Sequence, residues 1–95
     1  MTQFRISKAL MRAGISPEKQ GLIFFTCLNI KHLDEQIEKK ILNICMEVGG
    51  EDYQALYRFL TDSCVNHVYI CNKYYISKAK LFKLKKEFYL RFSEN

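Results

Sequence analysis

The segment from Tyr69 to Phe88 reads YICNKYYISKAKLFKLKKEF and is the most informative part of the sequence for the fold. Six lysines lie within it, separated by tyrosine, isoleucine, leucine and phenylalanine. Leu81, Leu84, Phe88 and Phe92 are spaced by three and four, so a helix would place them on one stripe facing a core. The pattern therefore predicts two helices joined by a turn, and the lysines of the second helix would point outward.

The residues around the turn match the requirements of a helix-turn-helix. Ile70 is the core aliphatic of a short first helix, followed by the small side chain of Cys71 and the apolar Tyr74. Ile76 would be buried just before a capping Ser77, and Leu81 would anchor the second helix. Tyr75 lies in the turn, where glycine is usual because it tolerates a positive φ. A longer or differently shaped turn would remove that difficulty.

Working outward, apolar residues recur at helical spacing along most of the chain. Its 95 residues, of which 48% are hydrophobic, suffice for one domain with its own core. We therefore predict an all-α fold, a small bundle of five to six helices ending in a helix-turn-helix. A single domain would span 1–95, with 1–50 a partner-binding or dimerising half and 51–95 the helix-turn-helix half.

Capping residues and glycines set the predicted helix boundaries. The second helix begins at Pro17, which Ser16 can cap. The residues that recur at helical spacing along it are Leu22, Ile23, Phe25, Thr26 and Ile30. The other predicted helices are a short one closed by Gly14, one from Asp34 to Gly49-Gly50, one from about Glu51 to Leu60, one from about Cys64 to Tyr74, and one from Ser77 to Phe92.

The charge distribution favours a polyanionic partner. The net charge is +5, and Glu87 is the lone acid between Lys73 and Arg91. Because the N-terminal half of a recognition helix enters the major groove, part of the lysine-rich helix would face base edges or adjacent phosphates. Those residues are Ser77, Lys78, Ala79, Lys80 and Lys83. Backbone contacts are predicted for Lys73, Lys85, Lys86 and Arg91.

The segment from Tyr53 to Phe92 resembles the tail of sigma factors that binds the promoter −35 element. It is also similar to small phage late-transcription regulators of the ArpU and RinA type. The match consists of ALYRFLTD, then Ile70, Cys71 and Tyr74, then Ile76-Ser77, then KAKLFKLKKEF. The resemblance implies a small DNA-binding transcriptional regulator of phage or mobile-element type, with duplex DNA as its partner.

A second class of function fits the same composition. A non-enzymatic interaction module, such as a small inhibitor or adaptor, would use the basic helix to bind an acidic protein. In either case residues 1–50 could bind RNA polymerase, a recombinase, another protein or a second copy in a homodimer. An affinity that falls steeply with salt distinguishes a DNA binder.

Other chemistries are not predicted. Cysteine and histidine bind zinc in proteins, and Cys64, His67 and Cys71 would lie on one side of a helix. However, one helix rarely supplies three ligands, and no C-x-x-C pair is present. No nucleophilic triad or phosphate loop is evident, so no catalytic residue, metal or cofactor is expected. Without a signal-peptide pattern or an apolar run of spanning length, we expect a cytoplasmic protein with reduced cysteines and no membrane contact.

Overall fold

The structure is a computed structural model that describes residues 4–94. The chain folds into α1 (Lys8–Arg12), α2 (Pro17–Leu28), α3 (Glu35–Gly49), α4 (Tyr53–Thr61), α5 (His67–Tyr74) and α6 (Lys78–Glu94). Short 3-10 turns at Ile30–His32 and Gly50–Asp52 flank α3. Residues 4–94 contain no β-strand, and the prediction of a small all-α bundle is confirmed.

The helix starts follow the capping chemistry of the sequence. Ser16 Oγ accepts a hydrogen bond from the Lys19 N–H at 3.2 Å, and Pro17 occupies the first helical position. At α3, Asp34 Oδ1 accepts from the Gln36 N–H at 2.7 Å. The predicted starts of these two helices are therefore correct to within a residue.

The predicted start of α5 at about Cys64 is wrong by three residues. The helix begins at His67, because Asn66 Oδ1 accepts the Tyr69 N–H at 2.9 Å and forms the N-cap. Upstream, Asp62 Oδ1 accepts the Cys64 N–H at 2.9 Å and closes a local turn. These two side chains keep the segment between α4 and α5 out of the helix.

The core draws on every α-helix of the bundle. Long helix α3 packs against α4 and α6, and these in turn contact α2 and α5. The buried apolar residues form one cluster that reaches from Leu10 in α1 to Tyr89 in α6. Both halves of the chain contribute to it, so the position of α6 is fixed by contacts with distant segments.

Only part of the apolar set predicted for the second helix is buried, namely Ile23 and Ile30. Ile23 and Cys27 are buried, whereas Leu22 is 65% and Phe25 53% exposed. Gln20 is buried too: its side chain accepts the Ser7 N–H at 2.8 Å and donates to the carbonyls of Ser7 and Ile15. A glutamine therefore ties the segment before α1 to the bundle, and two large apolar side chains remain in water.

Between residues 4 and 94, the structure has no helix that combines the length and the apolar character needed to cross a bilayer.

Candidate nucleic-acid interface

Helices α5 and α6 are joined by a three-residue turn, Tyr75 to Ser77. Tyr75 adopts the left-handed conformation, with φ 55° and ψ 43°, and its side chain is 94% exposed. The Cys71 carbonyl accepts hydrogen bonds from the N–H groups of Tyr75 and Ile76. The turn thus has the left-handed residue that normally calls for glycine, with tyrosine in that position.

The residues after Tyr75 seat α6 as the sequence pattern predicts. Ile76 is 5% exposed, and Leu81 is fully buried. Ser77 Oγ accepts the Lys80 N–H at 3.1 Å, and the Ser77 carbonyl accepts the Leu81 N–H at 3.0 Å. An apolar anchor on each side of an N-cap fixes both the start and the rotation of α6.

That rotation leaves three lysines of α6 in water. Lys78, Lys83 and Lys86 are exposed, with the exposed Ala79 among them, and none of the three forms an ion pair with another described residue. Three positive charges without an intramolecular acid are available for phosphate or for base-edge acceptors.

Two other predicted contact residues are already engaged by acids. Lys80 Nζ lies 2.6 Å from Asp52 Oδ2, and this contact raises the pKa of Lys80. Arg91 Nη1 lies 2.8 Å from Glu47 Oε2 at the far end of α6. A phosphate would have to compete with these carboxylates, so both cations are weaker candidates than Lys83.

Lys85 lies on the opposite side of α6 from Lys83, and it is less exposed than Lys78, which lies seven residues earlier on the same side. Its Nζ lies 5.7 Å from the Phe59 ring centroid, 5.8 Å from that of Phe82 and 5.7 Å from that of Tyr89. The side chain is half-buried, and this desolvation lowers the pKa of Lys85. Lys85 is therefore part of an aromatic cluster and does not belong to the outward lysine set.

Two further residues complete the geometry of this face. Lys73 is exposed on α5, with its Nζ 5.8 Å from the Tyr69 ring and 6.0 Å from the Tyr74 ring. Phe82, which the sequence reasoning did not select, is 38% exposed, and its ring lies 6.0 Å from Lys78 Nζ. Its spacing of four from Lys78 is the signal that could have identified it, because such residues share a helix face.

The cysteine and histidine side chains do not assemble a chemical centre. In the described part of the chain, no group of three or more His, Cys, Asp and Glu could hold a metal ion. His67 instead packs edge-on to Phe82, with ring centroids 5.6 Å apart. All four cysteines are free thiols, and burial raises the pKa of Cys27 and Cys45 to about 12, so these two stay protonated and unreactive.

No protein-family model, curated protein or solved structure matches this chain.

Proposed function

We propose that the protein is a small regulator that binds duplex DNA through α5, the turn and α6. The observation that carries the proposal is the tight turn with its left-handed Tyr75, followed by unpaired lysines on the exposed side of α6. In helix-turn-helix docking the second helix lies in the major groove, with its N-terminal residues at the base edges. A cationic, exposed N-terminal half of α6 suits that position.

The contacts divide into base-edge and backbone groups. Lys78, Ala79, Phe82 and Lys83 are assigned to the groove floor, because all four lie in the first two turns of α6 and are exposed. Lysine binds guanine acceptors, and an exposed phenyl ring or alanine methyl can contact a thymine methyl. Ser77, Lys73 and Lys86 are assigned to the phosphates. Lys80, Lys85 and Arg91 take secondary roles because of the neighbours described above.

A salt titration of the whole protein against a fluorescein-labelled 20-base-pair duplex tests the proposal. If Lys73, Lys78, Lys83 and Lys86 each neutralise one phosphate charge, the two groove lysines through the phosphates adjacent to the bases they contact, the slope of log affinity against log salt is about −3.6. The double variant Lys83→Gln/Lys86→Gln should lose affinity about tenfold or more at 50 mM salt and reduce the slope by about 1.8. Lys80 is left unchanged, because its loss would also remove the ion pair with Asp52.

A matched variant controls for the loss of two positive charges. Lys8→Gln/Lys31→Gln removes two exposed lysines that lie outside α5 and α6, and neither forms an ion pair with another described residue. It should keep both the slope and most of the affinity. The proposal fails if micromolar protein shows no anisotropy change at low salt, or if the two double variants lose affinity equally.

A protein-binding role is the second candidate, and the exposed apolar side chains of α2 favour it. Leu22 and Phe25 are more than half exposed on adjacent turns, which is costly unless a partner covers them. RNA polymerase, a recombinase or a second copy would fit this surface of α2, whereas an acidic protein would bind the basic helix α6. Sedimentation velocity tests whether the partner is a second copy of the chain. If the protein is a dimer and Leu22→Ser/Phe25→Ser converts it to a monomer, the second copy binds at α2.

A further inference from the structure

A groove lies beside the proposed DNA-binding face, between the segment before α1, the α4–α5 loop and α6. Its volume is about 660 Å³. Pockets for small organic ligands commonly enclose about 300–1,000 Å³. The groove is therefore large enough to take one small molecule.

Five Phe and Tyr rings lie in the walls of the groove. Phe59 and Phe82 meet edge to face with their centroids 5.6 Å apart, and Phe4 and Phe24 lie 5.4 Å apart on the other side. Tyr89 contributes a fifth ring to the lining. Rings in these orientations expose faces and edges against which a flat apolar body can stack.

Positive charge lines the same groove without an acid to balance it. Lys85 lies within it, with Arg5 and Lys86 as further cationic lining residues, and no described lining residue is an aspartate or glutamate. The ammonium of Lys85 is half-buried and is partnered by ring faces alone among the contacts that the structure gives it. Cation–π contacts only partly replace water around an ammonium group, so an anion entering the groove would gain a strong partner.

The end of α5 adds to this electrostatic preference. Asn66 and His67, at the N-terminus of α5, also line the groove. The helix dipole is positive at that end and favours anions nearby. Aromatic walls and uncompensated positive charge are thus combined in one place.

We propose that this groove binds a small aromatic carboxylate, with the ring of the ligand against Phe59 and Phe82 and its carboxylate at Lys85 Nζ. An apolar ring matches the walls, and one negative charge matches the half-buried ammonium. Phe82 and Lys86 belong both to this groove and to the proposed DNA-binding face. The carboxylate position at Lys85 is separate from Lys83, because these two lysines lie on opposite sides of α6.

The test is a titration of ¹⁵N-labelled protein, followed by amide chemical shifts, with two probes of the same shape. 2-Naphthoate carries the carboxylate, and 2-naphthalenemethanol is its neutral counterpart. A charge-assisted hydrogen bond at Lys85 should make naphthoate bind about tenfold more tightly, with shifts centred on Phe59, Phe82 and Lys85. Equal affinities, or shifts centred away from these residues, would overturn the proposal.

Two variants locate the preference. Lys85→Met keeps the apolar stem and removes the charge, so it should lose most of the tenfold preference for naphthoate. Lys83→Met loses an exposed lysine on the outward face of α6 and should keep the tenfold preference. An unchanged preference in Lys85→Met would contradict the site. Displacement of naphthoate by a short single-stranded oligonucleotide, at a concentration below that of the naphthoate, would also contradict it and would assign the groove to nucleic acid.

Discussion

Helices α2 and α6 are both rich in large apolar residues, yet they use them differently. In α6, Leu81, Leu84 and Phe88 all face the core, and lysines take four of the eight exposed positions. In α2, Leu22 and Phe25 are in water, while a glutamine is buried. One helix therefore presents a cationic surface and the other an apolar surface.

The comparison shows that charged residues define which face of a helix is buried. Lysines interspersed among the apolar residues of α6 leave one stripe that can be buried, so its rotation about the helix axis is defined. The run GLIFFTCL at the C-terminal end of α2 has apolar residues on every side, and its periodicity does not select a face. Gln20 selects it instead, through hydrogen bonds to the chain before α1 and to Ile15.

The largest expected effect tests the assignment of faces in α2. Ile23→Ala removes a side chain that is 1% exposed, and it should lower the free energy of unfolding by about 2–5 kcal/mol. Leu22→Ala removes an exposed neighbour and should change it by less than about 0.5 kcal/mol. Chemical denaturation of the two variants measures both values.

The same pair of substitutions on α6 provides the reference. Leu81→Ala should cost as much as Ile23→Ala, because Leu81 is fully buried, and Lys83→Ala should be close to neutral. If Leu22→Ala proved as costly as Ile23→Ala, the two helices would not differ in the way described.

The sequence predicted the parts of the fold whose causes are local. The turn from Tyr75 to Ser77 and the anchor at Leu81 follow from residues adjacent in the chain. The ion pair between Lys80 and Asp52 joins positions far apart in sequence, and no local pattern indicates it. Lys85 is an intermediate case: the charge pattern predicted a contact to the DNA backbone, although its position four residues after the buried Leu81 indicates a location near the buried side of the helix.

The second effect concerns the titratable groups that the two helices bury, beginning with Cys27 in α2. Burial raises the pKa of Cys27 from 9.0 to about 12. A raised thiol pKa stabilises the fold below pH 9 and loses that contribution as the pH rises toward 12, because the unfolded chain releases its proton first. Between pH 9 and pH 10.5 the parent should lose about 2 kcal/mol relative to Cys27→Ala, at about 1.36 kcal/mol per pH unit.

Denaturation curves under reducing conditions at several pH values measure this difference in slope. Cys64→Ala serves as the control, because Cys64 is exposed. Its stability should run parallel to that of the parent across the alkaline range. A Cys27→Ala variant that fell as steeply as the parent would show that Cys27 does not titrate within the core.

The third effect is the backbone strain at Tyr75, which has no counterpart within α2. A non-glycine residue in the left-handed region costs about 1–2 kcal/mol of stability. Glycine removes that cost, but about half of the gain is lost because glycine loses more conformational entropy on folding. Tyr75→Gly should therefore raise the free energy of unfolding by about 0.5–1 kcal/mol. Tyr75→Ala, which keeps the Cβ, should give no such gain; a gain from alanine would mean that the ring, and not the backbone, carries the strain.

The smallest effect is the pH response of Lys85, and its sign is opposite to that of Cys27. Desolvation lowers the pKa of Lys85 in the folded state, below the unfolded value of about 10.4. In the window just below 10.4 the unfolded chain binds more protons, so this lysine makes the parent more stable as the pH rises. Lys85→Met should thus be at least as stable as the parent at pH 7 and should lose that advantage by pH 10.

Lys83→Met gives the baseline for removing an exposed lysine from the same helix. If the difference in free energy of unfolding between Lys85→Met and the parent stayed constant from pH 7 to pH 10, the aromatic rings would stabilise the ammonium as well as water does. The two sides of α6 would then not differ in electrostatics.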